Sequence, residues 1–295
     1  MQQWQDFTYS ASDGLRLAGR QYGWAHRGAA PVVCLSGLSR NSADFHELAL
    51  HLANHDETPR RVLTLDYRGR GKSAYDPNWE NYSPVVEADD CIQGMTAAGL
   101  SHAHIVGTSR GGLIAMLLAG IRPGMMISVT LNDIGPELAG SGLVRIKKSL
   151  ESDYVAESFE DAAERMKRAG ERDFPKRSDA DWLHHARKLY KENDGRKGGV
   201  IRAYDRNLAR TLAAIDLDSP LPTLWPQFAG LNKHPVLLLR GANTDLLEDA
   251  TVERMRQVHP GMAFANLPDE GHAPDVGLPG TAERIAAFLA RAERE

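Results

Sequence analysis

Residues 107–111 read Gly-Thr-Ser-Arg-Gly and lie between two apolar runs, 104–106 before them and 112–119 after them. This order predicts a strand, a sharp turn and a helix. A serine in such a turn is held on strained backbone, with its hydroxyl exposed at the C-terminal edge of the strand. Gly107 and Gly111 flank it because a Cβ would collide where the helix and the strand approach each other. Ser109 is therefore the predicted nucleophile.

A nucleophilic serine needs an acid and a histidine, and in this pattern both are expected later in the chain. Residues 235–241 predict a buried strand that ends in a glycine turn, and Asp245 follows just past its end. Residues 262–267 alternate like a short strand, and His272 follows them in a loop of turn residues. We therefore predict that Asp245 is the acid and His272 the base.

Two backbone N–H groups are predicted to stabilise negative charge on a reacting oxygen. Residues 31–35 predict a buried strand, and the loop that follows it supplies the N–H of Leu38. The second candidate is the N–H of Arg110, the residue after the predicted nucleophile. Together these two amides would form an oxyanion hole.

A second glycine-rich turn carries a resemblance to a known family. Residues 61–66 predict another strand, and residues 66–73 read Asp-Tyr-Arg-Gly-Arg-Gly-Lys-Ser. This turn resembles the Asp-x-Arg-Gly-x-Gly-x-Ser turn of the α/β-hydrolase superfamily. The order of strands, turns and chemical groups from Val32 to His272 resembles an α/β-hydrolase with an inserted lid. Residues 131–137 are also similar to a strand-end sequence of bacterial esterases, enol-lactonases and carbon–carbon bond hydrolases.

The resemblance implies an α/β fold with a mostly parallel central sheet, flanking helices and an inserted helical lid. Some family members take the acid from the preceding strand, which makes Asp133 the alternative to Asp245. A structural cap at the entry to the lid is the favoured role for Asp133.

The chain departs from the family pattern at two positions. Ser36 stands where His-Gly is usual, and Arg110 follows the nucleophile where an apolar or amide side chain is more common. Backbone donors survive both changes. The Arg110 side chain has two interpretations: it pairs with a carboxylate in the body, or it faces the pocket and favours anionic substrates.

The chain is predicted to form one α/β-hydrolase core with an insertion. Its 295 residues, 42% of them hydrophobic, are enough for a single core of this class. Strands alternate with helices in residues 1–134 and 231–295, which are assigned to the core. Residues 135–230 are assigned to the lid because the alternation stops there and residues 159–166 and 180–187 predict amphipathic helices. Further helices are expected near residues 44–54, 85–98, 111–119 and 281–292, and a leading hairpin over residues 7–21 is expected to join the sheet edge antiparallel.

Four aromatic residues of the predicted lid are candidates for a substrate pocket: Trp182, Tyr190, Tyr204 and Trp225. The alternative is that they pack the lid onto the body. Trp182, Trp225 and the Arg110 side chain are the predicted substrate contacts. The charge-rich run 151–172 predicts a solvated face.

Composition excludes several classes of protein. A net charge of −4, with no zinc-ligand spacing and no phosphate-binding loop, gives nucleic-acid partners little support. The adjacent pair His184 and His185 diverges by roughly 100° on a helix, so we predict no metal. No organic cofactor is expected. The absence of a basic start followed by an apolar core, and of any membrane-length apolar run, predicts a cytoplasmic protein without a membrane partner. Cys34 and Cys91 are predicted to be buried apolar residues rather than a disulfide.

The sequence thus predicts a serine hydrolase that cleaves a small carboxylic ester or lactone through an acyl-enzyme. One alternative is a carbon–carbon bond hydrolase acting on a vinylogous diketo acid, which would give Arg110 a carboxylate to bind. An alternative of another class is a ligand-binding sensor that keeps the triad but turns over slowly. The rate of turnover separates the sensor from the two enzymes.

Overall fold

An eight-stranded sheet forms the centre of the protein. The computed structural model describes residues 3–152, 154–193, 198–213 and 221–294. Within them the strands are β1 (Gln5–Ser10), β2 (Arg16–Tyr22), β3 (Val32–Leu35), β4 (Val62–Asp66), β5 (Ala103–Thr108), β6 (Met126–Asn132), β7 (Tyr190–Glu192), β8 (Val200–Arg202), β9 (Val236–Gly241) and β10 (Ala263–Leu267). The sheet has the order β1-β2-β4-β3-β5-β6-β9-β10. β2 is the one strand of this sheet that runs opposite to the others, so the predicted mostly parallel sheet and its leading hairpin are confirmed.

Helices cover both faces of this sheet. They are α1 (His46–Ala53), α2 (Pro84–Ala97), α3 (Arg110–Ile121), α4 (Gly140–Glu151), α5 (Phe159–Gly170), α6 (Asp179–Leu189), α7 (Leu208–Ala213), α8 (Trp225–Ala229), α9 (Asp249–Val258) and α10 (Pro279–Ala292). The start of α2 shows how the sequence sets such an element: the Ser83 side chain accepts a hydrogen bond from the Val86 N–H, and Pro84 occupies the first turn. None of the described helices is long and apolar enough to cross a membrane.

The core is split by the sheet into two apolar layers. Side chains alternate along a strand, so Val33 and Leu35 of β3 join the layer of α2 and α3, whereas Val32 and Cys34 join the layer of α1 and α10. Cys91 lies in the first of these layers, and both cysteines are buried and free. The sheet therefore separates the two thiols, as expected for apolar packing residues.

The second glycine-rich turn is held by a buried carboxylate. Asp66 at the end of β4 accepts hydrogen bonds from the Ser42 N–H at 2.6 Å and from the Lys72 N–H at 3.0 Å. Gly71 has φ +54°, and a Cβ there would lie 2.4 Å from an Asp66 carboxylate oxygen. Only glycine fits this position, which explains the motif's spacing.

The segment between β6 and β9 departs from the strand–helix alternation, as expected. Helices α5 and α6 lie where amphipathic helices are predicted. The short antiparallel pair of β7 and β8 was not predicted, because three-residue strands are too short for a period-two pattern to show. Part of the proline-rich stretch at 219–226 lies outside the described residues. The domain boundaries at 134 and 230 remain a prediction.

Candidate active site

Ser109 occupies a tight turn between β5 and α3. Its backbone has φ +51° and ψ −112°, a region that non-glycine residues rarely adopt. A Cβ on Gly107 would lie 2.6 Å from the Gly111 carbonyl carbon, and a Cβ on Gly111 would lie 2.0 Å from the Leu35 carbonyl oxygen. The predicted strand, turn and helix are therefore present, and the two glycines are required by close backbone packing.

His272 lies in the loop after β10, with its imidazole beside Ser109. The distance from His272 Nε2 to Ser109 Oγ is 3.0 Å. The loop is tied to the sheet because the Asn132 side-chain amide donates to the Pro274 carbonyl at 3.0 Å. The geometry thus brings together the predicted nucleophile and the predicted base.

The carboxylate beside His272 belongs to Asp133, which corrects the predicted choice of Asp245. Asp133 directly follows β6, and its Oδ2 lies 2.7 Å from His272 Nδ1. The same oxygen accepts from the Thr244 hydroxyl at 2.6 Å, and Oδ1 accepts from the Gly241 N–H at 2.9 Å. Asp133 is completely buried. With Nδ1 donating to this carboxylate, Nε2 is left to accept the Ser109 proton.

Asp245 is engaged with Arg145 of α4 instead. Its two carboxylate oxygens accept from Arg145 Nε at 2.6 Å and from a terminal nitrogen at 2.7 Å. This guanidinium holds the pKa of Asp245 below its usual range. The predicted loop after β9 does meet the site, but through Thr244 and Gly241. A turn sequence alone does not show which of its side chains points inward.

Both predicted oxyanion donors lie next to Ser109. Leu38 lines the same cavity as Ser109, and a Cβ on Gly37 would lie only 3.8 Å from Ser109 Cβ. Arg110 is the first residue of α3, where an N–H has no carbonyl one turn earlier in the helix. Across the described parts of the chain, neither amide donates to a backbone carbonyl. Both are therefore available to an oxygen in the cavity.

The Arg110 side chain points into the body, so the predicted substrate contact through it is wrong. Its Nε lies 2.9 Å from a carboxylate oxygen of Glu87, and a terminal nitrogen donates to the Tyr82 carbonyl at 2.9 Å. Glu87 is completely buried and also pairs with Arg70 at 2.8 Å. Arg70 in turn donates to the Leu38 carbonyl at 2.8 Å. One buried carboxylate thus connects the segments that carry both candidate oxyanion donors.

A cavity of about 320 Å³ lies against Ser109 and His272. The segment between β6 and β9 contributes much of its wall, including Trp182, Tyr190 and Tyr204. Trp182 thus lies where it could contact a substrate, and its role as a substrate contact stays a prediction.

Trp225 lies outside this cavity, which corrects its predicted role. Its Nε1 donates to a Glu137 carboxylate oxygen at 3.0 Å, and the Arg254 guanidinium lies 3.9 Å from its ring centroid. A T-shaped contact with Phe228 packs it on the body. Trp225 is thus one of the aromatic residues for which packing is the observed role.

Arginines give the cavity wall a feature that the sequence analysis missed. The wall includes five of them, and Asp173 is the acidic residue among the described lining residues. Four arginines have a carboxylate partner: Arg40 with Asp44, Arg145 with Asp245, Arg165 with Asp161 and Arg177 with Glu270. The fifth is Arg202. Arg165 belongs to the run 151–172 that was predicted as a solvated face, and its side chain is 50% exposed at the edge of the cavity.

Potential metal ligands meet elsewhere. Among the described residues, His51, His55 and Glu283 bring their ligand atoms within 4.8 Å of one another at the surface. His184 pairs with Glu47 at 2.7 Å, whereas His185 lines the cavity. The two adjacent histidines diverge, as their helical spacing predicts.

The chain resembles known proteins along most of its length. A sequence model described as the alpha/beta hydrolase family matches residues 32–287. The 3-hydroxybutyrate-oligomer hydrolase of Cupriavidus necator is 30% identical over 249 residues, which cover 82% of this chain and 82% of that protein. An sn-1-specific diacylglycerol lipase of Danio rerio is 26% identical over 256 residues, covering 83% of this chain and 73% of the lipase. The crystal structure of an alpha/beta hydrolase from Novosphingobium aromaticivorans has a TM-score of 0.88 at 33% identity and covers 99% of both chains.

Proposed function

Because this chain belongs to the alpha/beta hydrolase family, we propose that it cleaves a carboxylic ester or lactone with a triad of Ser109, His272 and Asp133. One observation carries the proposal: the serine hydroxyl, the imidazole and the buried carboxylate are joined in series at 3.0 Å and 2.7 Å. A cavity large enough for a small substrate lies on the serine side of this series.

The geometry supports a two-step mechanism. Ser109 Oγ attacks the ester carbonyl while His272 Nε2 takes the hydroxyl proton, and the same nitrogen then gives that proton to the leaving alcohol. Asp133 orients the imidazole and stabilises its positive charge. The N–H groups of Leu38 and Arg110 stabilise the developing oxyanion, each by about 3 kcal/mol in comparable sites. Water then attacks the acyl-enzyme by the same route, which releases the acid and restores Ser109.

The choice of an ester rests on the relatives. The names of two of them state that they act on 3-hydroxybutyrate oligomers and on diacylglycerol, and both substrates contain ester bonds. The triad chemistry itself suits any activated carbonyl, so the bond cleaved is the part of the proposal that an assay must decide.

The test is Ser109→Ala. Loss of the nucleophile should lower kcat on 4-nitrophenyl esters on the order of a million-fold, with an unchanged circular dichroism spectrum. A fluorophosphonate should label the wild-type protein at Ser109, as read by mass spectrometry of the digested protein. Substantial activity in the alanine variant, or labelling at another residue, would remove the proposal.

A substrate panel identifies the bond. Esters of graded acyl length, lactones and vinylogous diketo acids should be compared by kcat/KM. Faster cleavage of the diketo acids would assign the site to carbon–carbon bond hydrolysis, and tight binding without turnover would indicate a sensor.

A further inference from the structure

Arg202 differs from the other arginines of the active-site cavity in having no carboxylate partner among the described residues. It ends β8, in the segment inserted between β6 and β9. Its guanidinium lies 5.6 Å from the Tyr190 ring centroid, a cation–π contact that orients the group, and it also interacts with the Tyr204 hydroxyl. Neither contact neutralises its positive charge. A half-buried arginine of this kind carries a positive charge that an anionic ligand can neutralise.

Arg202 also lies where two cavities meet. A second cavity of about 250 Å³ shares five lining residues with the cavity that contains Ser109: Leu150, Ser152, Tyr154, Arg202 and Tyr204. Asp205 lines the second cavity, but its carboxylate already accepts from the Tyr82 hydroxyl and from the Asn207 N–H. A substrate that enters from the second cavity therefore meets the Arg202 charge before it reaches the serine.

His185 offers a second polar contact to a ligand in the main cavity. Its side chain is buried, and its Nε2 has no hydrogen-bond partner among the described residues. Burial, together with the nearby positive charges of Arg40 and Arg177, lowers the pKa of His185 well below its usual range. The imidazole is therefore neutral at pH 7, and its unpartnered Nε2 is available to form a hydrogen bond with a ligand in the cavity.

We propose that the substrate of this site is an ester that carries a free carboxylate, and that Arg202 binds this carboxylate. The inference rests on the proposed function for the ester bond, and it goes beyond that function by naming the charge of the substrate and the residue that recognises it. The planar guanidinium offers paired N–H donors that match the two oxygens of a carboxylate.

The kinetic test uses two substrates that differ in one charge, mono-4-nitrophenyl adipate and its methyl ester. The wild-type protein should have the higher kcat/KM for the acid. Arg202→Gln should lower the ratio of acid to methyl ester kcat/KM by roughly ten- to a hundredfold, the range of a charge-assisted hydrogen bond. Arg202→Lys keeps the charge without the paired donors, so it should recover part of the loss.

Arg168→Gln is the matched control. Arg168 lies on α5 in the same inserted segment, is 74% exposed and does not line either cavity. The Arg168→Gln substitution removes the same unit of charge, but outside both cavities. The ratio of acid to methyl ester kcat/KM should therefore stay unchanged. An equal ratio in the wild type and in Arg202→Gln, or an equal loss in Arg168→Gln, would overturn the inference.

Binding separates this inference from the proposed ester hydrolysis. Monomethyl adipate and dimethyl adipate should be titrated calorimetrically into Ser109→Ala with and without Arg202→Gln. If Ser109→Ala binds the monoanion more tightly than the diester, and Arg202→Gln removes this preference, carboxylate recognition is supported even if the wild type cleaves no ester. If the wild type cleaves neutral esters but the monoanion binds no better than the diester, carboxylate recognition fails and ester hydrolysis stands.

Discussion

Asp133 receives three donors at once, from His272, Thr244 and the Gly241 backbone. A fully buried carboxylate needs such partners because an uncompensated buried charge is costly. The donors come from the C-terminal end of β9, from the loop that follows it and from the loop after β10, so the carboxylate also joins separate parts of the chain. This explains why Asp133, and not the more exposed Asp245, is suited to orient His272.

Two amide substitutions test the acid at the scale of one residue. Asp133→Asn should lower kcat by about four orders of magnitude, because the amide favours the wrong imidazole tautomer. Asp245→Asn removes a half-exposed pair with Arg145, so it should cost less than about 1 kcal/mol of stability and leave kcat within tenfold. Steady-state kinetics and thermal unfolding of both variants provide the comparison. A larger kinetic loss in Asp245→Asn would return the acid to that residue.

Glu87 is a second buried carboxylate near the site, and its charge is compensated by two arginines. It lies completely buried between Arg70 and Arg110, each within 2.9 Å of one of its oxygens. A buried ion pair that lacks one partner is strongly destabilising, so all three side chains are constrained together. The Arg110 side chain is therefore held in the body. The proposed contact with a substrate carboxylate falls to a different arginine, which the sequence next to Ser109 did not indicate.

At the scale of elements, the contact between β3, β5 and α3 fixes where Ser109 points. Gly111 is in the first turn of α3, and its Cα faces the Leu35 carbonyl of β3 so closely that a Cβ would lie 2.0 Å from the oxygen. The N-terminus of α3 therefore lies as close to β3 as contact between the two backbones allows. The exposed serine hydroxyl is a consequence of this approach.

Two glycines of α3 give a matched test of this packing. Gly111→Ala should destabilise the protein by about 1–3 kcal/mol or more, because the new methyl group must displace backbone. Gly120→Ala on the same helix has no atom within 4 Å of the added Cβ, so it should raise stability by about 0.5–1 kcal/mol through helix propensity. Urea unfolding of both variants measures the difference. Similar stabilities would contradict the close approach of α3 to β3.

At the scale of the whole molecule, the end of α10 is anchored across the sheet. Glu293 lies 3.2 Å from His104 Nε2 of β5, and it also pairs with Arg60. The Arg60 and His104 contacts outweigh burial and lower the pKa of Glu293 to about 2. Burial lowers the pKa of His104 to about 4 despite the nearby carboxylate. The two groups therefore affect stability in different pH ranges.

His104 should make the protein less stable below neutral pH. The unfolded chain takes up a proton at this histidine below pH 6.5, whereas the folded chain does so only near pH 4. Stability is therefore lost as the pH falls through this range, by about 2 kcal/mol between pH 7 and pH 5. His104→Asn should flatten the dependence of the free energy of unfolding on pH in that interval.

Denaturant unfolding at pH 7, 6 and 5 measures this slope, with His102→Asn as the control because His102 is exposed and two residues away. Glu293 adds its own loss of stability only as the pH falls from about 4.5 towards 2, below the interval tested. An unchanged slope in His104→Asn would contradict the neutral buried state of this histidine.

Local sequence determined the strands and the helix around Ser109 and two members of the candidate triad. The glycines around Ser109 indicate the close packing of a strand against a helix, and alternating apolar runs indicate strands. Both patterns are readable in the sequence because each arises from constraints that act within a few residues of the chain. For the same reason, His272 was recognisable from the strand and the turn residues beside it.

Only the tertiary structure decided which distant side chains meet. Asp133 rather than Asp245 contacts His272, Arg110 reaches Glu87 rather than the cavity, and Arg202 lies in the cavity wall. Each of these outcomes depends on the direction of a side chain relative to an element far away in the sequence. Helical spacing and turn composition indicate that a charged residue lies near a surface. The direction of its side chain depends on burial and charge pairing, which arise only when the elements pack together.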